Sequence, residues 1–337
     1  MALRFMDGFD HYTTLTQKWN SGGGSISAGN GRYGAGYRHA NAEQLIKGLD
    51  AQATWIVGYA AKVQTIPSGS QRMGLLGLFD TGVNQVNFML NGAGSIEVRR
   101  SGMNGTLLGS GSVVLSEGVW YYLEFKATIS DTVGVAVVRV NGVIDLNLSS
   151  VDTRQAGTTA NTINIGERSG TPPGFYDVDD LYICDATGGS PADDFLGDCR
   201  VEALLPDGNG TTSNLVGSDG NSTDNYLLVD EAAPNGDTDY VESSTPGDKD
   251  TYTFGNLAST SGTVYGVQVL PYAEKTDAGS RTIASIARLS ATEVDSADKA
   301  LASSYAYLPD IRETKPGGGA FSISDVNSTE FGVKVTA

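Results

Sequence analysis

WYYLEFKATI, residues 120–129, followed after a short break by VAVVRVNGVIDLNL, residues 135–148, decides the fold class of this chain. In a strand, side chains alternate between faces, so the first stretch places Trp120, Tyr122 and Glu124 on one side and Tyr121, Leu123 and Phe125 on the other. The Leu123 and Phe125 face is the expected core. The second stretch alternates on both sides of Asn141-Gly142, a pair that tolerates the two positive φ angles of a type I′ turn, and it therefore predicts a hairpin with a fixed register.

Further strand signals surround this centre. ATWIVGYAAKVQ (53–64), Met73–Phe79, Gln85–Leu90, Ser95–Arg100 and Leu107–Leu115 combine β-branched and aromatic residues between Gly, Asn and Ser breaks. Only Ala42–Lys47 and Asp295–Ser303 look helical, and both are shorter than the ~12 residues at which an isolated helix becomes stable, so they are expected as loop turns or strands. No heptad, collagen-like period or longer repeat occurs. With 44 glycines, 15 tyrosines and a charged fraction of 18% among 337 residues, the expected class is all-β: an antiparallel β-sandwich followed by a second, smaller β-sandwich. TGGSPADD (187–194) has the composition of an exposed connector and sets the expected domains at 1–190 and 191–337.

The net charge of −17 argues against nucleic acid and anionic lipid as partners, because both need clustered Lys and Arg. The acidity is uneven: residues 1–190 carry 13 basic and 16 acidic side chains, residues 191–337 carry 9 and 23. No run approaches the ~20 apolar residues of a membrane span, and MALRFMDGFDHY lacks the apolar core of a secretory leader, so the expectation is a chain made and kept in a cytoplasm. Cys184 and Cys199 give no disulfide framework. Both are expected as reduced, buried thiols on strands, with a single bridge as the alternative.

Several pieces occur in the order found in the concanavalin A-like, laminin-G-like jelly roll: FDHY (9–12) with Trp19, GRYGAGYR (31–38), GVWYYLEFKATI (118–129), VAVVRVNGVI (135–144), INIGERSG (163–170) and YDVDDLYICD (176–185). Through residue 185 the chain resembles that family. The remainder, with FLGDCRV (195–201), DNYLLVDEAAPNGDTDYV (224–241), VYGVQVLPYAEKTDAG (264–279) and FSISDVNSTEFGVKV (321–335), is similar to a segment carried by structural proteins of tailed bacteriophages. The resemblance implies a virion component assembled in the host cytoplasm. Its expected work is host attachment at a tail fibre or tail tip, with capsid decoration as the alternative. Expected partners are other virion proteins, further copies of the chain and a host-surface glycan.

Glycoside hydrolysis needs a spaced carboxylate pair, and the Glu-x-Asp-x-x-Glu run of bacterial glucanases is absent; the nearest cluster, Asp177, Asp179 and Asp180, has no Glu and suits a strand surface. His11 and His39 lie in no ligand-spaced pair and beside no nucleophile motif. Gly29–Gly34 fits G-x-G-x-x-G literally but lacks the strand before and the helix after, so it reads as a turn. No enzyme activity and no bound cofactor are therefore expected. Calcium at Asp177, Asp179, Asp180, Asp207 and Asn209, or at Asp230, Glu231, Asp237 and Asp239, is the alternative to solvated acidic loops. For sugar stacking the candidates are Tyr33 and Tyr37, while Trp55 and Trp120 are assigned to the core.

Overall fold

The computed structural model describes residues 2–39, 43–166, 175–189 and 191–337. The chain is nearly all β and divides into two compact units, Met1–Val201 and Glu202–Ala337.

The first unit is an antiparallel β-sandwich of jelly-roll type. One sheet has eight strands, in the order Val143–Val151, Gly134–Val140, Trp120–Thr128, Thr54–Val63, Tyr176–Asp185, Gly36–His39 and Ser25–Ser27, with Leu3–Asp7 pairing to Tyr176–Asp185 off this path. The other has seven: Thr106–Val114, Ser95–Arg100, Val83–Asn91, Arg72–Asp80, Ala160–Ile165, Leu45–Gln52 and Ser21–Gly22. Alternation sets the core as expected. Leu123 pairs with Tyr59 and Val140, Phe125 pairs with Val57 and Val138, and all six are buried. Phe125 meets Phe88 of the opposite sheet at a ring separation of 5.0 Å. Polar tips inside this core are satisfied across it: Trp55 Nε1 donates to Ala160 O at 2.8 Å and the Tyr59 hydroxyl to Leu75 O at 2.9 Å. Asn141 and Gly142 take φ of 50° and 77°, and Val140 faces Val143, which is the expected hairpin.

The second unit is smaller and also antiparallel. Its six-stranded sheet runs Pro206–Ser213, Lys249–Phe254, Thr329–Val335, Thr282–Leu289 and Thr292–Asp295, with Lys299–Ala300 pairing to Thr282–Leu289. Three two-stranded ribbons accompany it, one of them pairing Tyr272–Ala273 with Ala306–Tyr307. Buried Tyr252, Ile283, Ile286, Phe321, Val326 and Phe331 form its core.

Two expectations change. The boundary falls after Val201 rather than near 190, because Ala192–Val201 is bound to the first sandwich. FLGDCRV forms no strand; its main chain is irregular and bonds to side chains of the sheet. Cys184 and Cys199 are both thiols, but Cys199 lies off any strand and is only half-buried. Burial, with the Glu124 charge second, pushes the Cys199 thiol up to about 12. The two helix-like stretches form no helix, as expected: within the described residues they belong to strands Leu45–Gln52, Thr292–Asp295 and Lys299–Ala300 and to the loops beside them, with Ala42 outside the described residues. The α-helix of the described residues is Ile323–Ser328, just before the last strand, Thr329–Val335. Its start carries a capping box, with Ser322 accepting from Asp325 N and the Asp325 carboxylate accepting from Ser322 N.

Candidate functional site

The outward face of the eight-stranded sheet collects the polar side chains of the first unit. From Thr54–Val63 the outward positions are Ile56, Gly58, Ala60 and Lys62, opposite Lys126, Glu124, Tyr122 and Trp120. The next strand offers Asp177 beside Lys62 and Asp179 beside Ala60, after which the register shifts. The shift is a bulge at Asp180, which sits at φ 53°. It brings Tyr182 opposite Gly58, where a Cβ on residue 58 would stand 2.2 Å from the tyrosine ring. Glycine is therefore required there for Tyr182 to lie across the sheet.

Part of this face is covered by the chain itself. Ala192–Val201 crosses it as a strap: Leu196 N donates to the Tyr182 hydroxyl at 3.1 Å, Gly197 N to Glu124 at 2.8 Å and Val201 N to Asp180 at 2.8 Å. Arg32 adds bonds to Asp198 and to Cys199 O. Beneath the strap Tyr122, Glu124, Asp180 and Tyr182 are all buried, although alternation alone puts Tyr122 and Glu124 on the solvent side.

The carboxylates of the face are engaged by protein donors. Asp177 binds Arg38 at 2.6 and 3.0 Å, Gln64 at 2.7 Å and Lys62 at 3.2 Å. Asp179 accepts from the main-chain N–H of Arg32, Tyr33 and Asp180. Asp180 takes Val201 N and the Arg32 guanidinium. Glu124 accepts from the Tyr182 hydroxyl at 2.7 Å, with Arg139 at 3.3 Å. The calcium candidates Asp177, Asp179 and Asp180 are thus buried structural acceptors rather than a solvated loop. Asp207 and Asn209 lie on a strand of the second unit, bonded to Thr253 and to Tyr226 N. Of the second group, Asn235 bridges Glu231 and Asp239, and Asp237 accepts from the Tyr305 hydroxyl. Among the described residues no three His, Cys, Asp or Glu side chains gather to hold a metal ion.

Tyr33 is 48% exposed, with the Arg200 and Arg32 guanidinium groups 4.2 and 5.1 Å from its ring, and it remains available to a ligand. Tyr37 does not. It is fully buried against Phe9, its hydroxyl donating to Gly23 O. Trp55 is core as expected, whereas Trp120 is half-exposed with the Lys62 ammonium 4.8 Å from its ring. Gly29–Gly34 is a turn, held where Ala35 N reaches Asp10. His39 is buried against Tyr176, and burial pulls both His39 and His11 down to about 4.

Sequence reasoning missed an open groove of about 410 Å³ on the same face. Val135, Val137 and Ile144 are apolar lining residues; Lys126, Arg139, Asn147 and Asp194 supply polar groups. Phe195 of the strap forms part of the lining, its ring 4.9 Å from the Arg139 guanidinium. The alternation that placed Glu124 outward extends to Lys126 and was the available signal. Phe195 had none, because its place depends on where the strap crosses.

Burial, followed by the charge of Asp180, pushes Asp179 up to about 7, and burial pushes Asp10 up to about 6. A folded-state value above the ordinary carboxylate value of about 4 means the folded form holds the proton more tightly, so each group's contribution to stability falls as pH rises through that interval. His11 and His39 act in the opposite sense over much of the same range. The expected result is therefore a difference between proteins: Asp10→Asn gains stability relative to wild type as pH is raised from about 4 to about 6, and the gain levels off above that. Denaturant unfolding of both proteins across this range checks it; a constant difference would show that Asp10 ionises normally.

No protein-family model matches the chain, and no curated protein matches it. Among solved structures, the endo-β-1,4-glucuronan lyase of the fungus Trichoderma reesei is similar at 10% identity and a TM-score of 0.38, covering 52% of this chain and 90% of that one. The cellulose-induced protein Cip1 is similar at 14% and 0.42, covering 53% and 96%. The binding domain of Paraclostridial Mosquitocidal Protein 1 is similar at 15% and 0.35, covering 48% and 42%. Each is a likeness in fold over about half of this chain.

Proposed function

We propose that this chain is a non-enzymatic structural protein of a tailed-phage virion, placed at the tail fibre or tail tip, which attaches to a host-surface glycan through the outward face of its first unit. The observation that carries the binding reading is the division of labour on that face. Its buried carboxylates are occupied by cations and main-chain N–H groups, while the ring of Tyr33 is exposed and those of Trp120 and Phe195 are half-buried, beside Arg200, Lys62 and Arg139. Acid and base catalysis needs a carboxyl group within reach of a substrate proton; sugar binding needs aromatic faces and hydrogen-bonding groups around them. The virion placement rests on the sequence resemblance. One shallow groove binds weakly, so several copies on a particle would act together.

Purified protein incubated with host envelope polysaccharide is expected to be retained, with no release of reducing ends over a day. Retention should weaken when Tyr33 and Trp120 are both replaced by alanine. Sustained release would overturn the non-enzymatic reading, and full retention by the double variant would remove the face from the contact. Counting copies in the particle separates the tail from a capsid shell, where decoration demands many more.

A further inference from the structure

Strand Leu3–Asp7 ends at a carboxylate with no access to water. The chain then turns at Phe9, φ 59°, and a short 3-10 turn at Leu15–Gln17 returns Lys18 beneath the strand. Asp7 is fully buried and the Lys18 side chain is 4% exposed, with Nζ 3.2 Å from Asp7 Oδ1. Phe5, Phe9, Tyr12 and Trp19 enclose the pair; Nζ is 5.3 Å from the centre of the Phe5 ring. The two carboxylate oxygens are held differently. Oδ2 accepts from the Tyr12 hydroxyl at 2.6 Å and from Trp19 Nε1 at 2.7 Å, whereas Oδ1 faces the amine and accepts from Phe9 N at 3.0 Å.

We propose that Lys18 and Asp7 condense spontaneously to an intramolecular amide, an isopeptide cross-link between the N-terminal strand and the segment that follows the turn. A buried ion pair is penalised by loss of hydration, and a proton passing from Nζ to Oδ1 converts it to a neutral amine beside a neutral acid. Burial favours this at Lys18, pulling its ammonium below the ordinary lysine value against the attraction of Asp7. It is opposed at Asp7: burial pushes that carboxyl up, but the Lys18 charge and the surrounding donors bring it below the ordinary value. The amine lone pair attacks Asp7 Cγ, forming the Nζ–Cγ bond. Negative charge then develops on Oδ2, where the Tyr12 and Trp19 donors already point. A second proton moves from nitrogen to the protonated Oδ1, the Cγ–Oδ1 bond breaks, and one water leaves. Ammonium plus carboxylate gives amide plus water, with no oxidant, metal or co-reactant. Proximity supplies the rate, since the groups are held at a reactive separation.

The same chain holds a comparison pair. Lys62 also stands 3.2 Å from Asp177, but there the carboxylate is shared with Arg38 and Gln64, and the Arg38 side chain is 35% exposed. That carboxylate is shared among two cations and an amide rather than offered to one amine, so no condensation is expected.

The test is mass spectrometry of the purified full chain, denatured and reduced. The expected protein is lighter by one water. Trypsin should then give a peptide spanning Phe5–Arg32, uncut after Lys18, one water light and yielding no backbone fragments between Asp7 and Lys18. Loss of water at Asp7-Gly8 as a cyclic imide would give the same total mass. That product is reversed by mild base, is cut after Lys18 and persists in Lys18→Arg, and finding it in place of the uncut peptide overturns the proposal. So does the full, unreduced mass. Because the decisive peptide comes from the wild-type chain, the result does not depend on the variant folding.

Discussion

Replacing Glu124 by alanine is expected to lower the unfolding free energy by about 3–5 kcal/mol, the range for removing one partner of a buried charged group. Glu124 is fully buried and serves three elements at once: the Tyr182 hydroxyl on the next but one strand, Gly197 N on the strap and Arg139 on the neighbouring strand. Its loss leaves two donors unmatched in a covered site. Arg139 suffers less, because it is 23% exposed and also donates to Gly142 O. Glu124→Gln retains a carbonyl acceptor and should lose about 1.5–3 kcal/mol, the value of one hydrogen bond to a charged group. Urea unfolding at neutral pH measures both. Limited proteolysis supplies a second reading, since a loosened strap should be cut within 192–201 while the sandwich stays intact. An alanine variant within about 0.5 kcal/mol of wild type, the usual scatter of surface changes, would mean the strap does not depend on this carboxylate.

What could be read in the sequence was whatever depends on neighbours along the chain. Alternation through WYYLEFKATI assigned Leu123 and Phe125 to the core because a strand's own geometry fixes which side each residue takes. Asn141-Gly142 fixed a hairpin because only a few residues accept positive φ. The site was less legible, for the opposite reason. Tyr33 and Tyr37 are close in sequence and equal in chemistry, yet one is exposed and the other enclosed by Phe9, a segment with no local signal for where it packs. Asp177, Asp179 and Asp180 looked like a solvated surface; the bulge at Asp180, with Arg32 and the strap on it, makes that surface an interior. FLGDCRV has the apolar residues of a strand, but its N–H groups go to side-chain oxygens that no pairing rule anticipates.

A fragment ending at residue 190 is expected to melt below one ending at Val201 by about 5–10 °C, following the scaling of about 2–4 °C per kcal/mol for chains of this size. The longer fragment keeps the strap. In the shorter one Leu196 no longer buries its side chain, about 2 kcal/mol, and three main-chain bonds to Tyr182, Glu124 and Asp180 disappear, about 1 kcal/mol each. Ordering the strap opposes these gains, since each fixed residue loses conformational entropy, so the net loss should be about 2–3 kcal/mol rather than the full sum. Arg32 would also lose Asp198 and Cys199 O while keeping Asp180, which adds a cation with fewer partners near Tyr33. Thermal unfolding followed by circular dichroism gives the midpoints. Tyrosine absorbance reports the second consequence, because Tyr122 and Tyr182 become accessible to solvent only in the shorter fragment. Equal midpoints with unchanged tyrosine spectra would show that Ala192–Val201 belongs to the connector rather than to the first sandwich.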